Sequence, residues 1–368
     1  MMTKARTWVS ALSTVSLLTM GVAYPVHQAQ ADEPGPVEAI EFDVAKAALG
    51  KRLFFDPRLS GDTELSCASC HQPELGFTDG QALSDAYAGS LHFRNVPTLI
   101  NSAKRAAWFH DGRIGTNLND VTRESITETY SMNMDMRLMQ ERIKQDPVYV
   151  EMFEAAGFGE PSNGGVRNAI PEYLKTLISR GAPFDSGEMS DEATAGYELF
   201  KASGCNSCHA GERFTDDLPH NIGVGDNPDI WADPERHITF VTMMKFLGVE
   251  NYMNLRADPG AYIRTHTADT FGTFMTPTLR ELTYTAPYMH NGSIATLEDV
   301  VAFYNAGGGD DENKDPRIKP LGLNETEQAQ LVAFLKALSG EPLTGPDFVA
   351  EGIDTDYAPI ENWQDATN

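Results

Sequence analysis

The chain has 368 residues, enough for two domains of ordinary size, and 41% of them are hydrophobic, enough to give each a core. Its formal net charge is -25, which argues against nucleic acid and anionic membranes as partners and favours basic proteins through long-range steering. Simple solubility is an equally good reason for so acidic a surface.

Taken from the N-terminus, the chain opens with Lys4 and Arg6, an apolar run VSALSTVSLLTMGVA (9–23) and a small-x-small site AQA (29–31). That order predicts a signal peptide over residues 1–31 and export to the periplasm. A membrane anchor is the alternative, but an apolar run of about 15 residues is short for a span. Cleavage after Ala31 removes Lys4 and Arg6 and no acidic residue, taking the charge from -25 to -27.

All four cysteines lie in two segments, CASCH (67–71) and CNSCH (205–209). In an exported chain four cysteines would suggest two disulfides. The spacing argues otherwise: Cys67, Cys70 and His71, then Cys205, Cys208 and His209, each form the c-type haem attachment pattern. Two thiols add across the two vinyl groups of one porphyrin, and the adjacent histidine is then placed to ligate its iron. A thioredoxin-like pair requires no such histidine, and a zinc site needs four gathered ligands where each segment offers three. The expected cofactors are two covalently bound haem c groups.

The repetition extends beyond these motifs. GKRLF (50–54) and GYELF (196–200) precede them, and FTD follows each. PTLINSAKRAAWFHDGRI (97–114) aligns without a gap on PTLRELTYTAPYMHNGSI (277–294). FTD recurs from 77 to 214 and PTL from 97 to 277, so the spacing grows from 137 to 180. The second half therefore carries about 40 extra residues within 220–270. Helical periodicity predicts a helix over VRNAIPEYLKTLISRG (166–181), closed by Gly181. Asn324 and Glu327 predict a capping box before a helix that ends at Gly340. Pro183 and DSGEMSD (185–191) mark a boundary. The predicted fold is mainly α, with two cytochrome-c-like haem domains related by internal duplication. Their limits are 32–185 and 186–342, followed by an acidic tail over 343–368.

The ordered motifs TLISRGAPFD (176–185), MSDEATAGYELF (189–200), CNSCHAGERFTD (205–216), HNIGV (220–224), TAPYMHNG (285–292) and TLEDVVAFYNAGGG (296–309) carry a resemblance. Over roughly residues 46–340 the chain resembles the bacterial dihaem cytochrome c peroxidases and their MauG-like relatives. The resemblance implies a peroxidatic haem in the first half and an electron-transfer haem in the second. It also implies a calcium ion held by the Asn95 side chain and the Thr285 and Pro287 carbonyls; oxygen ligands suit that hard cation.

The second haem's sixth ligand is expected to be Tyr304, where MauG-like proteins carry an axial tyrosine. Its alternative is a core position on the helix face of Leu297, Val300 and Val301. Met275, where relatives usually have lysine, is the second candidate ligand. In the first half, Glu128 is the nearest carboxylate to the family's catalytic glutamate, although ungapped counting lands on Tyr130. Met132, Met134 and Met136 are candidates to pack around or ligate that haem, and His92 lies near a displaceable distal histidine of some peroxidases. Relatives place tryptophan where His110 stands here, between the haems. His110 is therefore a site candidate, able to bond a propionate or bind a proton, with Trp108 as an alternative relay.

The leading expectation is a periplasmic peroxidase that reduces hydrogen peroxide to water with electrons from a small donor, a basic cytochrome c or a cupredoxin. A MauG-like oxidase acting on a partner protein is the second reading, and a dihaem electron carrier without peroxide chemistry the third. Relatives are often dimers, so a homodimer is a further expectation.

Overall fold

The computed structural model describes residues 34–343; the expected signal peptide and nearly all of the acidic tail lie outside the described residues. Helix α1 (Val44–Phe54) starts where the Asp43 carboxylate accepts the Lys46 N–H. It packs on α5 (Asn163–Lys175), and the contact needs Gly50: a Cβ there would lie 2.0 Å from the Ala169 carbonyl oxygen. Between them run α2 (Leu118–Thr127), α3 (Met136–Ile143) and α4 (Pro147–Ala155).

The second half is built the same way. Helix α6 (Asp191–Ala202), capped by Ser190, packs on α9 (Glu325–Ala337), and a Cβ on Gly196 would lie 1.9 Å from the Gln330 carbonyl oxygen. Asn324 and Glu327 form the expected capping box of α9. Helix α8 (Leu297–Asn305) lies against α9. Among the described residues, regular strand is confined to one antiparallel pair, β1 (Pro219–His220) with β2 (Phe274–Met275). No described helix is long and apolar enough to cross a membrane.

The helix expected over 166–181 differs from the observed one. It starts at Asn163 and stops at Lys175, before Gly181. Asn101 ends it: its backbone N–H donates to the Leu177 carbonyl at 2.7 Å, and its side-chain oxygen accepts the Ser179 N–H at 2.9 Å. These bonds hold residues 177–179 out of the helix.

Buried apolar residues gather in three main clusters. One fills the first half around Leu53, Phe54, Phe77 and Phe153, with Cys67 and Ala68 against it. Another fills the second half around Phe200, Phe214, Val301 and Phe334, with Cys205 against it. The third belongs to the extra residues of the second half, including α7 (Pro234–Phe246). Phe240, Met243, Met244 and Ile263 pack there on Leu83, Phe93 and Tyr130, so the insertion is bound to the first half.

Candidate functional site

Each Cys-x-x-Cys segment is a single tight turn, helical over Cys67–Cys70 and 3-10 over Cys205–Ser207. The turn carries the chain back on itself, so His71 N–H donates to the Cys67 carbonyl at 2.9 Å and His209 N–H to that of Cys205 at 3.0 Å. Both imidazoles are then oriented alike. His71 Nδ1–H donates to the Phe77 carbonyl at 3.0 Å, and His209 Nδ1–H to the Phe214 carbonyl at 2.9 Å. The acceptor residues adopt left-handed backbone to do so, with φ of 59° at Phe77 and 52° at Phe214. A bond at Nδ1 fixes the tautomer and leaves Nε2 as the free lone pair.

Burial pushes His71 down to about 4 and lowers His209 as well, so both rings are neutral near pH 7. All four thiols are unpaired, and burial raises Cys67 to about 12 and Cys70 and Cys205 to about 11. Each segment thus offers two thiols outside any disulfide and a neutral, oriented imidazole, a donor set that fits one covalent haem. Cys208 also lies near Asp216 and His220. His220 lies in the HNIGV segment; its Nε2–H donates to Asp216 at 2.8 Å, and Asp315 stands 3.2 Å from its Nδ1.

In the second half, Tyr304 sits on α8, whose Leu297 and Val301 are buried as the helix-face pattern requires. Burial raises its phenol, and the Cys205 and Cys208 thiols raise it further. It has no hydrogen-bond partner among the described residues. Met275 lies elsewhere: its N–H donates to the His110 carbonyl at 2.8 Å, and a Cβ on Gly112 would meet its sulfur at 2.8 Å. Met275 therefore stands against the first half's His-Asp-Gly turn.

The first half gathers a polar group. Glu128 is the C-cap of α2, and Tyr130 stands in the turn that follows it, where it acts to lower the Glu128 carboxyl. Burial raises the Glu128 carboxyl, and the neighbouring Glu124 raises it further. The His92 ring meets Tyr130 edge-on at 5.7 Å between centroids. Its Nδ1 accepts the Arg94 N–H at 3.3 Å, and burial holds it down to about 3. Met132 and Met134 are buried in the first-half core, and Met136 is packed against it.

His110 Nε2–H donates to the Asn95 carbonyl at 2.9 Å, and burial pushes the ring down to about 4. His290, its partner in the repeat, stacks on Phe274 with centroids 3.6 Å apart. Trp108 is buried in the first-half core, with an indole N–H that has no acceptor among the described residues and the Arg105 guanidinium 5.6 Å from its ring.

Asn95 joins the halves: its backbone N–H donates to the His290 carbonyl at 2.8 Å and its side-chain NH2 to the Gln81 carbonyl at 2.7 Å. That leaves its side-chain oxygen free. The Thr285 and Pro287 carbonyls likewise accept no hydrogen bond among the described residues. Thr285 lies against Gly76, where a Cβ would come within 2.9 Å of its methyl. Each of the three oxygens is thus uncommitted, as a ligand of a hard cation has to be.

The largest feature not anticipated from the sequence is a buried chain of charges. Arg94 binds Asp258 through Nε and Nη2 at 2.7 and 2.8 Å and Asp111 through Nη1; Asp111 also accepts from Arg113 Nη1 at 2.9 Å. Motif spacing gives no signal for a pair 164 residues apart.

Comparison with known proteins agrees with this geometry. The di-haem cytochrome c peroxidase family model matches residues 44–193. The chain is 45% identical to cytochrome-c peroxidase IdrP2 of Denitromonas iodatirespirans, over 82% of this chain and 84% of the relative. It is 36% identical to the methylamine utilization protein MauG of Methylorubrum extorquens, over 81% and 79% respectively. A solved MauG-like protein associated with microbial copper homeostasis superposes with a TM-score of 0.73 at 26% identity, covering 89% of this chain and 99% of that one. The chain belongs to the di-haem cytochrome c peroxidase family and is a peroxidase-type oxidoreductase.

Proposed function

We propose that this chain is an exported, periplasmic dihaem peroxidase of two duplicated haem c domains that reduces hydrogen peroxide to water with electrons from a small redox protein. The observation that carries the reading is an asymmetry. The two proximal histidines share one hydrogen-bond geometry, yet in the first half Glu128, Tyr130 and Arg113 act on one another's charge, while in the second a buried Tyr304 phenol is acted on by the Cys205 and Cys208 thiols. When bound, the haem on His71 supplies an open iron position for peroxide and the haem on His209 stores and passes single electrons.

Reduction of one peroxide consumes two electrons and two protons and yields two waters. Glu128 is the group that moves protons: as carboxylate it takes one from the proximal peroxide oxygen, and as acid it returns it to the distal oxygen as the O–O bond breaks. Its raised pKa suits both directions. His110, neutral and tied to Asn95, holds the junction between the halves rather than carrying charge. Asn95, Thr285 and Pro287 hold calcium there through their free oxygens. Tyr304 ligates the second iron; Met275, lying against Gly112, is the less well placed of the two candidates. A charge of -27 on the mature chain favours a basic electron donor, whether a cytochrome c or a cupredoxin.

Tyr304 also supports a second reading, a MauG-like oxidase that withdraws electrons from a partner protein. The replacement of tryptophan by His110 weighs against it, since an imidazole is harder to oxidise than an indole. The test is a pair of variants. His71→Gly abolishes reaction with peroxide, whereas His209→Gly retains a single turnover and loses steady-state turnover. Peroxide reactivity that survives in His71→Gly would move the site to the other half.

A further inference from the structure

We propose that Arg113 is the distal cation of the first-half site, and that Asp258 of the second-half insertion positions it through Arg94 and Asp111. This rests on the reading that peroxide binds on the Glu128 side of the His71 haem.

Four alternating charges form the chain, and all are withdrawn from solvent: side-chain exposure is 3% for Asp258, 3% for Arg94, 0% for Asp111 and 10% for Arg113. Asp258 is itself fixed, since its Oδ1 accepts the Gly260 N–H at 2.9 Å. Its two-pronged grip on Arg94 occupies Nε and Nη2 and leaves Nη1 for Asp111. Arg94 and Arg113 therefore share one oxygen, Oδ2 of Asp111. If Asp258 released Arg94, that guanidinium could take both Asp111 oxygens and displace Arg113.

Arg113 is held on two more sides. Its backbone N–H donates to Asp111 Oδ1 at 3.0 Å, and its guanidinium carbon lies 3.7 Å from the Phe109 ring centroid. Its Nε–H is a buried donor without an acceptor among the described residues, with Glu124 Oε1 at 3.9 Å, beyond hydrogen-bond reach. Phe109, under its guanidinium, and Ile114, the next residue, pack on the same core as Cys67 and Ala68. The charge of Arg113 is felt by Glu128, Tyr130 and His92 alike. A fixed positive donor among those groups is placed to stabilise negative charge on the departing peroxide oxygen until Glu128 protonates it. Arg113 gives up no proton itself.

The insertion that supplies Asp258 has no counterpart in the first half, and its apolar cluster also covers Tyr130. Extra chain in the electron-transfer half thereby shapes the peroxide pocket of the other.

Fluoride, an anion that accepts hydrogen bonds when bound to ferric iron, probes this without turnover. The oxidised full-length holoprotein is titrated with fluoride, and absorbance and EPR follow each haem. Arg113→Gln weakens fluoride binding at the His71 haem by about tenfold or more, Arg113→Lys by less, and Asp258→Asn by an intermediate factor, with the signal of the His209 haem unchanged. If Asp258→Asn does not mature, Asp258→Glu, which keeps the charge and shifts its position, weakens binding in the same direction. Unchanged affinity in Arg113→Gln overturns the distal cation and leaves the peroxidase reading standing. Weakening by Arg113→Gln but not by either Asp258 variant overturns the positioning role. A wild-type His71 haem that binds no fluoride at all overturns the open-site reading, and this inference with it.

Discussion

The two halves use one skeleton for opposite ends. Each pairs two helices through a glycine with no room for a Cβ, and each orients a histidine through Nδ1 onto the carbonyl of a left-handed phenylalanine. They differ in the polar groups each gathers. The first half sets a carboxyl, a phenol and a guanidinium with an unused donor where their charges act on one another; the second sets Asp216 and His220 beside Cys208 and buries the Tyr304 phenol. The lesson is that the proximal side of the two sites is alike in both halves, and that the proposed difference in their chemistry has to come from the distal side.

The sharpest way to break this comparison is to neutralise the first half's carboxyl. Glu128→Gln lowers the peroxide reduction rate by about 10²–10⁴-fold. Its sign with pH follows from its environment. Burial and Glu124 raise the Glu128 pKa, and the carboxylate is the form that accepts the first proton. The wild-type rate therefore falls as pH drops through a value above the ordinary carboxylate range. The variant, profiled over the same pH range, lacks that limb.

The shared skeleton is tested by Gly50→Ala and Gly196→Ala. Each forces a methyl onto a carbonyl of the partner helix and costs about 1–3 kcal/mol, read by denaturant unfolding. Similar losses at both positions support equivalent halves, and a loss at one alone separates them. The distal contrast is sharpened by Tyr304→Phe, which changes the spectrum and raises the potential of one haem only, since an anionic oxygen ligand favours ferric iron. An unchanged spectrum removes Tyr304 as a ligand. The smallest effect is expected from chelation: removing calcium from the Asn95 junction depresses turnover, and added calcium restores it. Activity indifferent to chelator removes the ion.

Local features were legible in the sequence because each is decided within a few residues. The Cys-x-x-Cys-His turns, the Asn324–Glu327 cap and the buried face of α8 all follow from spacing alone. Features that failed to show are decided by distant chain. Asn101 stops α5 from across the fold, and the insertion finds its apolar partners in Leu83, Phe93 and Tyr130. The ambiguity between Glu128 and Tyr130 had the same origin. Counting must choose one, whereas both stand at the turn after α2 and each acts on the other's charge.

The claim beneath all of this is that the chain carries two irons on His71 and His209, one open and one closed. An EPR spectrum of the oxidised, fully haem-loaded protein, taken before and after one equivalent of peroxide, tests it most directly. The account predicts one iron with a vacant position and one six-coordinate iron, with the first altered at once by peroxide. Two six-coordinate irons, both indifferent to peroxide, would contradict it and leave an electron carrier.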